Sequence, residues 1–167
     1  IDYEIKNGSE MIIKSGDYKI LDDLIIPEHL SLTINKGVTL RMREGVSLIC
    51  KNKVYIDGTR EFPVKIIPLE EGKPFGTVAI IGNRSHETII NHLNLVGGSA
   101  KSYEGILFSG GLSIHYHGKV QIMNSNFTES NADDGVNLKY IHKIIIASSN
   151  FIDNVVDQVD IDNSNAF

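Results

Sequence analysis

The sequence contains one cysteine, no tryptophan and no apolar run near the 18 or so residues that cross a bilayer. Cys50 has no partner for an internal disulfide, and its place in an alternating apolar run predicts a buried, unreactive thiol. Because no spanning segment is present, we expect a soluble domain. The chain also begins at Ile1 without an initiator Met or an apolar leader, so we expect a mature or excised fragment of a longer chain.

Concentrated charge is also lacking. The 16 basic and 21 acidic residues give a net charge of -5, and no block of five or six like charges occurs. A protein that binds a nucleic-acid backbone needs a basic patch, so we exclude DNA and RNA as partners. The length of 167 residues and the hydrophobic content of 41% fit a single domain, residues 1–167, with one buried core.

Helical periodicity is absent, and a short-strand pattern takes its place. An apolar-polar-apolar triplet returns every eight residues in the first half of the chain, at Leu30-Ser31-Leu32, Val38-Thr39-Leu40, Val46-Ser47-Leu48 and Val54-Tyr55-Ile56. Alternation with a period of two predicts a short strand that is buried on one face. Turn residues such as Gly37 and Gly45 separate the triplets, since glycine tolerates the positive φ of a tight bend.

Three triplets make one repeat of roughly two dozen positions, a length typical of solenoid units. The same offset recurs near the end of the chain, where Val120, Ile122 and Phe127 return as Ile144, Ile146 and Phe151. A fixed repeat of this kind predicts a solenoid in which each unit covers the open face of its neighbour. We therefore predict an all-β solenoid of about seven coils with three short strands per coil. In the first coils this register places Leu30 beneath Val54 and Leu32 beneath Ile56.

Two stretches break the repeat. Pro68–Gly76 is rich in Pro, Gly and Glu, and Gly97–Gly111 is rich in Gly and Ser. We predict that both are loops that leave the coil, and loops on a rigid scaffold often carry binding sites. Residues 163–167 resemble the start of a further rung. Because natural solenoids cap their ends, we expect the chain to continue beyond Phe167, or a partner chain to cover that end by an end-to-end contact.

Two segments carry a resemblance to a known fold. The segment IPEHLSLTINKGVTLRMREGVSLICKNKVYIDGT resembles the opening coils of bacterial surface and secreted β-helices, and VQIMNSNFTESNADDGVNLKYIHKIIIASSNFIDNVVDQVDID is similar to later coils. The resemblance covers roughly residues 17–163 and points to the right-handed parallel β-helix of the pectate-lyase-like superfamily. It implies the fold and not the activity, because this superfamily includes lyases, hydrolases, epimerases, adhesins and inert shafts.

The motifs of two enzyme branches of that superfamily are missing. A polygalacturonase-like site would need an Asn-Thr-Asp strand and an Arg-Ile-Lys strand, and neither occurs. A pectate-lyase-like site would need an arginine base near an acidic cluster, whereas Arg60 and Arg84 lie well before the acidic turns. We therefore disfavour both activities.

An acidic turn followed by a short strand occurs twice. Residues 134–139 (DGVNLK) align with residues 157–162 (DQVDID) as acid, spacer, apolar, polar, apolar and charged. The apolar positions are expected to face the core, so the polar ones face outward. Stacking of the two strands then brings together two outward pairs, Asn137 with Asp160 and Lys139 with Asp162.

Two interpretations of these residues remain open. In the first they are architectural: the Lys139 pair is a cross-strand salt bridge worth roughly 0.2–1 kcal/mol, and Asp134 and Asp157 each accept a hydrogen bond from the backbone two residues ahead. In the second, five carboxylates converge on one side, Asp133, Asp134, Asp157, Asp160 and Asp162. Crowded carboxylates raise one another's pKa, which suits acid and base catalysis by Asp134, Asp157 and Asp160, or they bind calcium. Lys139 would then neutralise a substrate carboxylate or take a proton, and Asn137 would contribute to binding.

The histidines offer further candidates. His115 and His117 flank Tyr116, and in an extended segment the two imidazoles lie on one side, a spacing that permits ligand or metal binding. No third ligand is identifiable, so we predict a partly exposed surface pair, with Tyr116 turned inward or stacked on a neighbouring rung. His142 is close enough in the repeat to join them as a protonatable cluster. A stacked amide ladder at a bend is predicted from two asparagines one repeat apart, Asn126 and Asn150.

The leading hypothesis is an exported bacterial domain, extracellular or at the cell surface, that binds or modifies polysaccharide. It would use the acidic stretch at residues 133–162 and the loop at residues 97–111. The alternative is a non-catalytic spacer or adhesion module of a larger surface protein. A catalytic site predicts carboxylates that no neighbour neutralises, whereas a shaft predicts that Lys139 and the asparagines neutralise them. The sequence leaves open whether the chain is an enzyme.

Overall fold

The computed structural model describes residues 1–165, and their regular secondary structure consists of twenty-one short β-strands. No helix occurs in this range, so none there is long or apolar enough to span a membrane. The all-β class predicted from the sequence is confirmed. Ala166 and Phe167, which belong to the predicted further rung, lie outside the described residues.

Three large sheets contain all but two of the strands, and neighbours in each series below are hydrogen-bonded. Sheet A consists of β1 (Tyr3–Lys6), β2 (Glu10–Ile13), β5 (Ser31–Asn35), β8 (Val54–Asp57), β11 (Glu87–Asn91), β16 (Lys119–Met123) and β19 (Lys143–Ala147). Sheet B consists of β3 (Gly16–Ile20), β6 (Val38–Met42), β9 (Val64–Pro68), β12 (Leu93–Val96), β17 (Asn126–Thr128) and β20 (Asn150–Ile152). Sheet C consists of β4 (Leu24–Ile26), β7 (Leu48–Cys50), β10 (Val78–Ile81), β15 (Gly110–His115), β18 (Asp134–Lys139) and β21 (Asp157–Asp162).

Consecutive strands along the chain mostly belong to different sheets, and each sheet receives about every third strand. Neighbours in the three sheets are parallel, except that β1 runs antiparallel to β2 at one edge of sheet A. Parallel neighbours need a long crossover connection. Here the strands of the other two sheets make that connection in place of helices. These parallel sheets are compatible with the β-helix that the sequence predicts.

Alternation along the strands sends one set of side chains into a shared hydrophobic core. In β6, for example, Val38, Leu40 and Met42 are fully buried while the residues between them are half-exposed. Most core residues are Ile, Leu and Val, which suit a pleated, buried surface. Cys50 also lies in this core, and burial raises the pKa of its thiol to about 11. The predicted burial of this cysteine is confirmed.

The pairing that the repeat predicts near the end of the chain is confirmed. β16 and β19 are paired through Val120 with Ile144 and Ile122 with Ile146. Phe127 of β17 is paired with Phe151 of β20, and the two rings are stacked with centroids 5.2 Å apart and an angle of 6° between their planes. Residues of the same kind therefore lie above one another in this part of the core.

Asparagines form a ladder along sheet B. Nδ2 of Asn126 donates to Oδ1 of Asn94 at 2.7 Å, and Nδ2 of Asn150 donates to Oδ1 of Asn126 at 2.8 Å. The predicted pair of Asn126 and Asn150 is confirmed and is extended by one residue. The three asparagines lie in the strands β12, β17 and β20 and not at a bend, so they link neighbouring strands of one sheet.

The register predicted for the first coils is wrong by two residues. Val54 is paired with Leu32 and not with Leu30, and Ile56 is paired with Ile34 and not with Leu32. The reason is that Leu30 belongs to a turn, where its N–H donates to the carbonyl three residues earlier at 3.0 Å. The strand β5 begins only after this turn, which shifts every pairing along it.

Both predicted interruptions of the repeat are insertions, and the second has structure of its own. Residues 69–77 join β9 to β10 without a strand, and Phe75 within them is fully buried. Between Gly97 and Gly111, however, β13 (Lys101–Tyr103) and β14 (Ile106–Phe108) form an antiparallel hairpin. The prediction of a plain loop in this second segment is therefore corrected.

This hairpin packs on the outer side of sheet C. Phe108 is fully buried beside Ile49 and Ala79, in a small apolar cluster separate from the main core. Two ion pairs connect the hairpin to sheet C. Lys101 pairs at 2.8 Å with Asp23, which precedes β4, and Glu104 pairs at 2.6 Å with Lys51, which follows β7. The hairpin thus covers β7 and β10, and its Phe108 also lies beside His115 of β15, with ring centroids 5.0 Å apart.

Single residues in the left-handed region turn the chain out of sheet C. Tyr116, Tyr140 and Asn163 directly follow β15, β18 and β21, with φ values of 59°, 56° and 47°. A positive φ is uncommon for a residue other than glycine, and more so for a bulky one. Three neighbouring strands of sheet C therefore end in the same kind of bend, at one corner of the fold.

Candidate functional site

The two acidic strands predicted from the sequence are neighbours in sheet C, with the predicted register. The Cα partners are Asp134 with Asp157, Asn137 with Asp160, and Lys139 with Asp162. We name five carboxylates and one amide of this region the acidic face: Asp133, Asp134, Asn137, Asp157, Asp160 and Asp162. The structure therefore brings these candidate residues together.

Asp134 is the most buried carboxyl group of the acidic face, with 4% of the residue exposed. Its Oδ2 accepts a 2.7 Å hydrogen bond from Oγ of Ser109, a hydroxyl that takes the place of the backbone donor predicted from the sequence. Burial raises the pKa of Asp134 above its ordinary value of 3.8, the bond from Ser109 opposes the rise, and the charges of Asp160, Asp157 and Asp133 add to it. Three neighbouring aspartates thus add to the effect of burial on this carboxyl group.

Beside Asp134, hydrogen bonds connect side chains of three neighbouring strands. Nδ2 of Asn137 donates to Oδ2 of Asp160 at 2.9 Å, because a carboxylate only accepts. Oδ1 of Asn137 therefore faces His115, whose Nε2 carries the proton and donates at 2.8 Å. Burial lowers the pKa of His115 below its ordinary value of 6.5, so its ring is neutral near pH 7. This series of bonds fixes the orientation of the Asp160 carboxylate.

The predicted cross-strand salt bridge is confirmed. Nζ of Lys139 lies 3.3 Å from Oδ2 of Asp162. The two side chains are 36% and 44% exposed, so water screens their charges. Their pairing contributes about 0.2–1 kcal/mol to stability. This geometry supports the architectural interpretation of Lys139.

Asp133 and Asp157 are the exposed members of the acidic face. Within residues 1–165, neither side chain forms a hydrogen bond or an ion pair, so the backbone bond predicted for Asp157 is not formed. In the same range, no group of three or more His, Cys, Asp or Glu side chains is arranged to hold a metal ion. The calcium interpretation therefore gains no support from the geometry of these residues.

The two histidines around Tyr116 are not the predicted surface pair. His115 is 2% exposed and His117 is 0% exposed. The reason is the left-handed backbone of Tyr116, which ends the extended segment and breaks the alternation on which the prediction rested. The side chain of His142 is exposed. This residue contacts His117 through the backbone, where the N–H of His142 donates to the carbonyl of His117 at 3.0 Å.

The buried ring of His117 uses both of its nitrogens. Nδ1 donates to the carbonyl of His115 at 3.0 Å, so it carries the proton. Nε2 therefore accepts a hydrogen bond from Oγ1 of Thr88 at 3.2 Å. Burial lowers the pKa of His117 from 6.5 to about 4. His117 is a neutral structural group at pH 7, and the geometry does not place it in a binding surface.

Tyr116 is exposed and stacks on Tyr140, the bend residue that follows the next strand of sheet C. Their ring centroids are 5.0 Å apart, with an angle of 11° between the planes. The two residues are 42% and 43% exposed. The predicted stacking of Tyr116 on a neighbouring strand connection is confirmed, and its predicted inward orientation is wrong. Nζ of Lys139 lies 5.8 Å from the centroid of Tyr140, which connects the ring pair to the end of the acidic face.

A cleft of about 300 Å³ opens beside the two rings. We name it the corner cleft, and its lining residues are Arg84, Tyr116, Tyr140, Ile141, His142, Asn163 and Asn165. Arg84 is exposed, and its guanidinium forms no hydrogen bond or ion pair with any other described residue. The corner cleft therefore combines an aromatic surface with unused hydrogen-bond donors.

Tyr140, Arg84 and Ser109 are residues of the site that the sequence did not predict. Tyr140 had a signal, since the offset from Tyr116 to Tyr140 is the same as the offset from Phe127 to Phe151. Arg84 lies on the turn between β10 and β11, and Ser109 lies at the base of the hairpin. Ser109 lies in a segment that interrupts the repeat, and Arg84 lies on a turn outside the repeated apolar triplets. No offset in the sequence therefore connects either residue to the site.

The acidic face and the corner cleft adjoin each other through Lys139. Together they offer carboxylate acceptors, guanidinium and amide donors, and an exposed aromatic surface. Comparison of the chain with protein-family models, with curated protein sequences and with solved structures finds no match.

Proposed function

We propose that the chain forms a right-handed parallel β-helix of about seven coils with three short strands per coil, like the pectate-lyase-like folds that its sequence resembles. The strand order supports this proposal, because the chain enters sheets A, B and C in turn over most of its length. The stacking of Phe127 on Phe151 supports it as well. Each turn of such a helix would cover the apolar face of the turn before it.

We propose further that the protein is an exported bacterial domain that binds polysaccharide at the acidic face. The environment of Asp134 carries this proposal, since the group is nearly buried, is paired with Asp157 of the neighbouring strand, and has further negative charge nearby at Asp160 and Asp133. A carboxylate has about four acceptor positions, and the hydroxyl of Ser109 occupies one of them. Sugar hydroxyls can donate to the small exposed part of Asp134 and to the exposed carboxylates of Asp133 and Asp157, which no described residue binds. These bonds would stabilise the ionised groups without adding negative charge.

The same crowding of negative charge selects the class of glycan. An acidic sugar would add a further anion beside Asp133, Asp134 and Asp157, and like charges repel strongly where water is partly excluded. A neutral sugar has no such penalty, and its hydroxyl groups provide the donors that the acidic face lacks. We therefore propose that the ligand is a neutral polysaccharide.

The contacts favour binding over bond cleavage. Acid and base catalysis needs a carboxyl group or an amine that is free to exchange a proton with the substrate. Asp160 is held by Asn137 at 2.9 Å, and Lys139 is held by Asp162 at 3.3 Å. Asp134 also accepts from Ser109 at 2.7 Å, so three of the four candidate catalytic residues are already engaged by the protein. Binding without turnover is the version of the proposal that the geometry supports best.

Calorimetric titration of the protein with neutral and acidic hexasaccharides tests this proposal. We expect neutral members of the panel to bind, and we expect Asp134→Asn and Asp160→Asn each to weaken that binding about tenfold through loss of a charge-assisted hydrogen bond. Asp57→Asn is the matched control, because Asp57 is an exposed carboxylate at the end of β8 in sheet A. An absence of binding heat for the whole panel would discard the proposal, and an equal loss in the control variant would contradict a specific role for the acidic face.

A second function, that of a non-catalytic spacer or adhesion module of a larger surface protein, is favoured by a separate observation. Lys139 and Asn137 each neutralise or bind a carboxylate of the neighbouring strand, as a structural shaft requires. In that case wild type and variants would all fail to bind glycans, and the partner would be a protein that covers the end of the sheets. Release of reducing ends from the same glycans would instead identify an enzyme.

A further inference from the structure

We infer that the corner cleft is a stacking subsite, in which one pyranose ring of the bound glycan packs on Tyr140 while Arg84 donates hydrogen bonds to its hydroxyl groups. The inference rests on the proposed function, because it concerns the same neutral glycan. It extends the binding surface from the outer side of sheet C onto the neighbouring corner. Neither residue belongs to the acidic face.

The aromatic pair has the properties of a stacking platform. Tyr116 and Tyr140 are 42% and 43% exposed, and their rings are nearly parallel at 5.0 Å. Each ring already restricts the motion of the other. A ligand that packs on them therefore causes little further loss of side-chain conformational entropy. One face of a pyranose ring presents C–H groups, and such an apolar face packs well on an aromatic ring. A tyrosine also keeps its hydroxyl group available at the edge of the platform.

The backbone at this corner does not explain the choice of tyrosine. Asn163 occupies the third bend of the series with a φ of 47°, and asparagine is one of the residues that adopt this conformation most readily. Tyrosine at the two preceding bends has φ values of 59° and 56°, a conformation that is unfavourable for a bulky side chain. The exposed rings therefore stand where the bend alone would favour a small polar residue.

Arg84 supplies donors on the other side of the cleft. Its turn lies directly on the corner, since a side chain at Gly118 would collide with the carbonyl oxygen of Arg84. A guanidinium has five N–H donors in a fixed plane, and no described residue accepts from them. Hydroxyl and ring oxygens of a sugar are acceptors of the kind that this group lacks.

The two parts of the surface are complementary in hydrogen bonding. The acidic face offers acceptors, the corner cleft offers donors, and each sugar hydroxyl can both donate and accept. Lys139 lies between the two parts, with its Nζ 3.3 Å from Asp162 and 5.8 Å from the centroid of Tyr140. A glycan of several units can therefore meet acceptors on sheet C and donors at the corner in succession.

Tyrosine fluorescence provides a direct test, because the chain has six tyrosines and no tryptophan. The probes are cellohexaose, laminarihexaose and mannohexaose, titrated into wild type and variants. We expect Tyr140→Ala to raise the dissociation constant about five- to tenfold and Tyr140→Phe to leave it within about twofold, since the ring is retained. Arg84→Ala should raise it about fivefold. Tyr3→Ala, the matched control at an exposed tyrosine of β1, should leave it unchanged.

The outcomes separate this inference from the proposed function. If no hexasaccharide binds wild type, the proposed function fails and the subsite fails with it. If wild type binds and Asp160→Asn weakens binding while Tyr140→Ala and Arg84→Ala do not, the subsite is overturned and the proposed function stands. Equal losses in Tyr140→Ala and Tyr140→Phe would also overturn it. Thermal melts identify any unfolded variant, and Arg84→Ala, on an exposed turn, keeps the test valid if Tyr140→Ala does not fold.

Discussion

Lowering the pH from 7.5 to 4 should destabilise this protein through one buried side chain, His117. The neutral ring donates from Nδ1 to the carbonyl of His115 and accepts at Nε2 from Thr88. A proton on Nε2 would replace that acceptor with a donor and place a positive charge in a site that is 0% exposed. The ring of His86, whose centroid is 5.9 Å away, would add repulsion when it is protonated.

The size of the effect follows from the pKa of His117, which burial lowers from 6.5 to about 4. As the pH falls, the unfolded chain binds this proton before the folded chain does, so protonation favours unfolding. The contribution is complete above pH 6.5 and is lost progressively as the pH falls from 6.5 toward 4. One pKa unit corresponds to about 1.4 kcal/mol, so the complete loss is about 3 kcal/mol. This is a large share of a stability of about 5–15 kcal/mol.

Urea unfolding followed by circular dichroism at several pH values measures this loss, and a variant isolates it. His117→Asn retains a donor for the carbonyl of His115 and has no group that titrates in this range. We expect wild type to lose about 3 kcal/mol more than this variant between pH 7.5 and 4. His29→Asn, at an exposed histidine, should reproduce the pH profile of wild type. An identical pH dependence in wild type and His117→Asn would show that protonation of His117 does not cause the loss.

Four further outcomes are expected. Phe127→Ala removes a fully buried, stacked ring and should lower the free energy of unfolding by about 3–5 kcal/mol in urea; a loss under about 1 kcal/mol would contradict the stacking. Lys139→Met should change it by less than about 1 kcal/mol, because the ion pair is half-exposed, and a larger loss would reveal a stronger role. Lys101→Ala removes the ion pair with Asp23 that holds the hairpin on sheet C, so the hairpin should open more often and a glutamyl endopeptidase should cleave after Glu104 faster than in wild type. An unchanged cleavage rate would show that this ion pair does not hold the hairpin in place. Cys50 should react with a thiol reagent at pH 8 only on unfolding, and rapid labelling of the native protein would disprove its burial.

The sequence predicted the second half of the fold more accurately than the first half, and the regularity of the spacing explains the difference. From β16 to β20 no segment interrupts the repeat, so a constant offset identifies the true partners. In the first half a turn at Leu30 shifts the pairing by two residues. When the pairing of two strands shifts by two residues, the same side chains still face the core. The apolar-polar alternation is therefore identical in both registers and does not distinguish between them.

The acidic pairs of the candidate site were predictable for the same reason, since they lie on adjacent strands without an insertion between them. The burial of His117 was not predictable, because an apolar and polar pattern does not encode the sign of φ at Tyr116. The hydroxyl of Ser109 reaches the site from the base of the hairpin, and the guanidinium of Arg84 reaches it from the turn between β10 and β11. Their positions depend on how those segments pack in three dimensions, and no periodicity records that packing.

The insertions lengthen the chain without disturbing the columns of core side chains. Ile90 pairs with Ile56 although the insertion at positions 69–77 separates them, just as Ile146 pairs with Ile122 across an uninterrupted repeat. Residues 70–73 of this insertion are exposed, whereas Phe75 packs back into the hydrophobic core before the chain enters β10 in register. The exposed positions 70–73 are consequently a natural point for evolution, or for an engineer, to graft foreign peptides for display. Such a chimaera would gain a new recognition segment while it retained the parent scaffold.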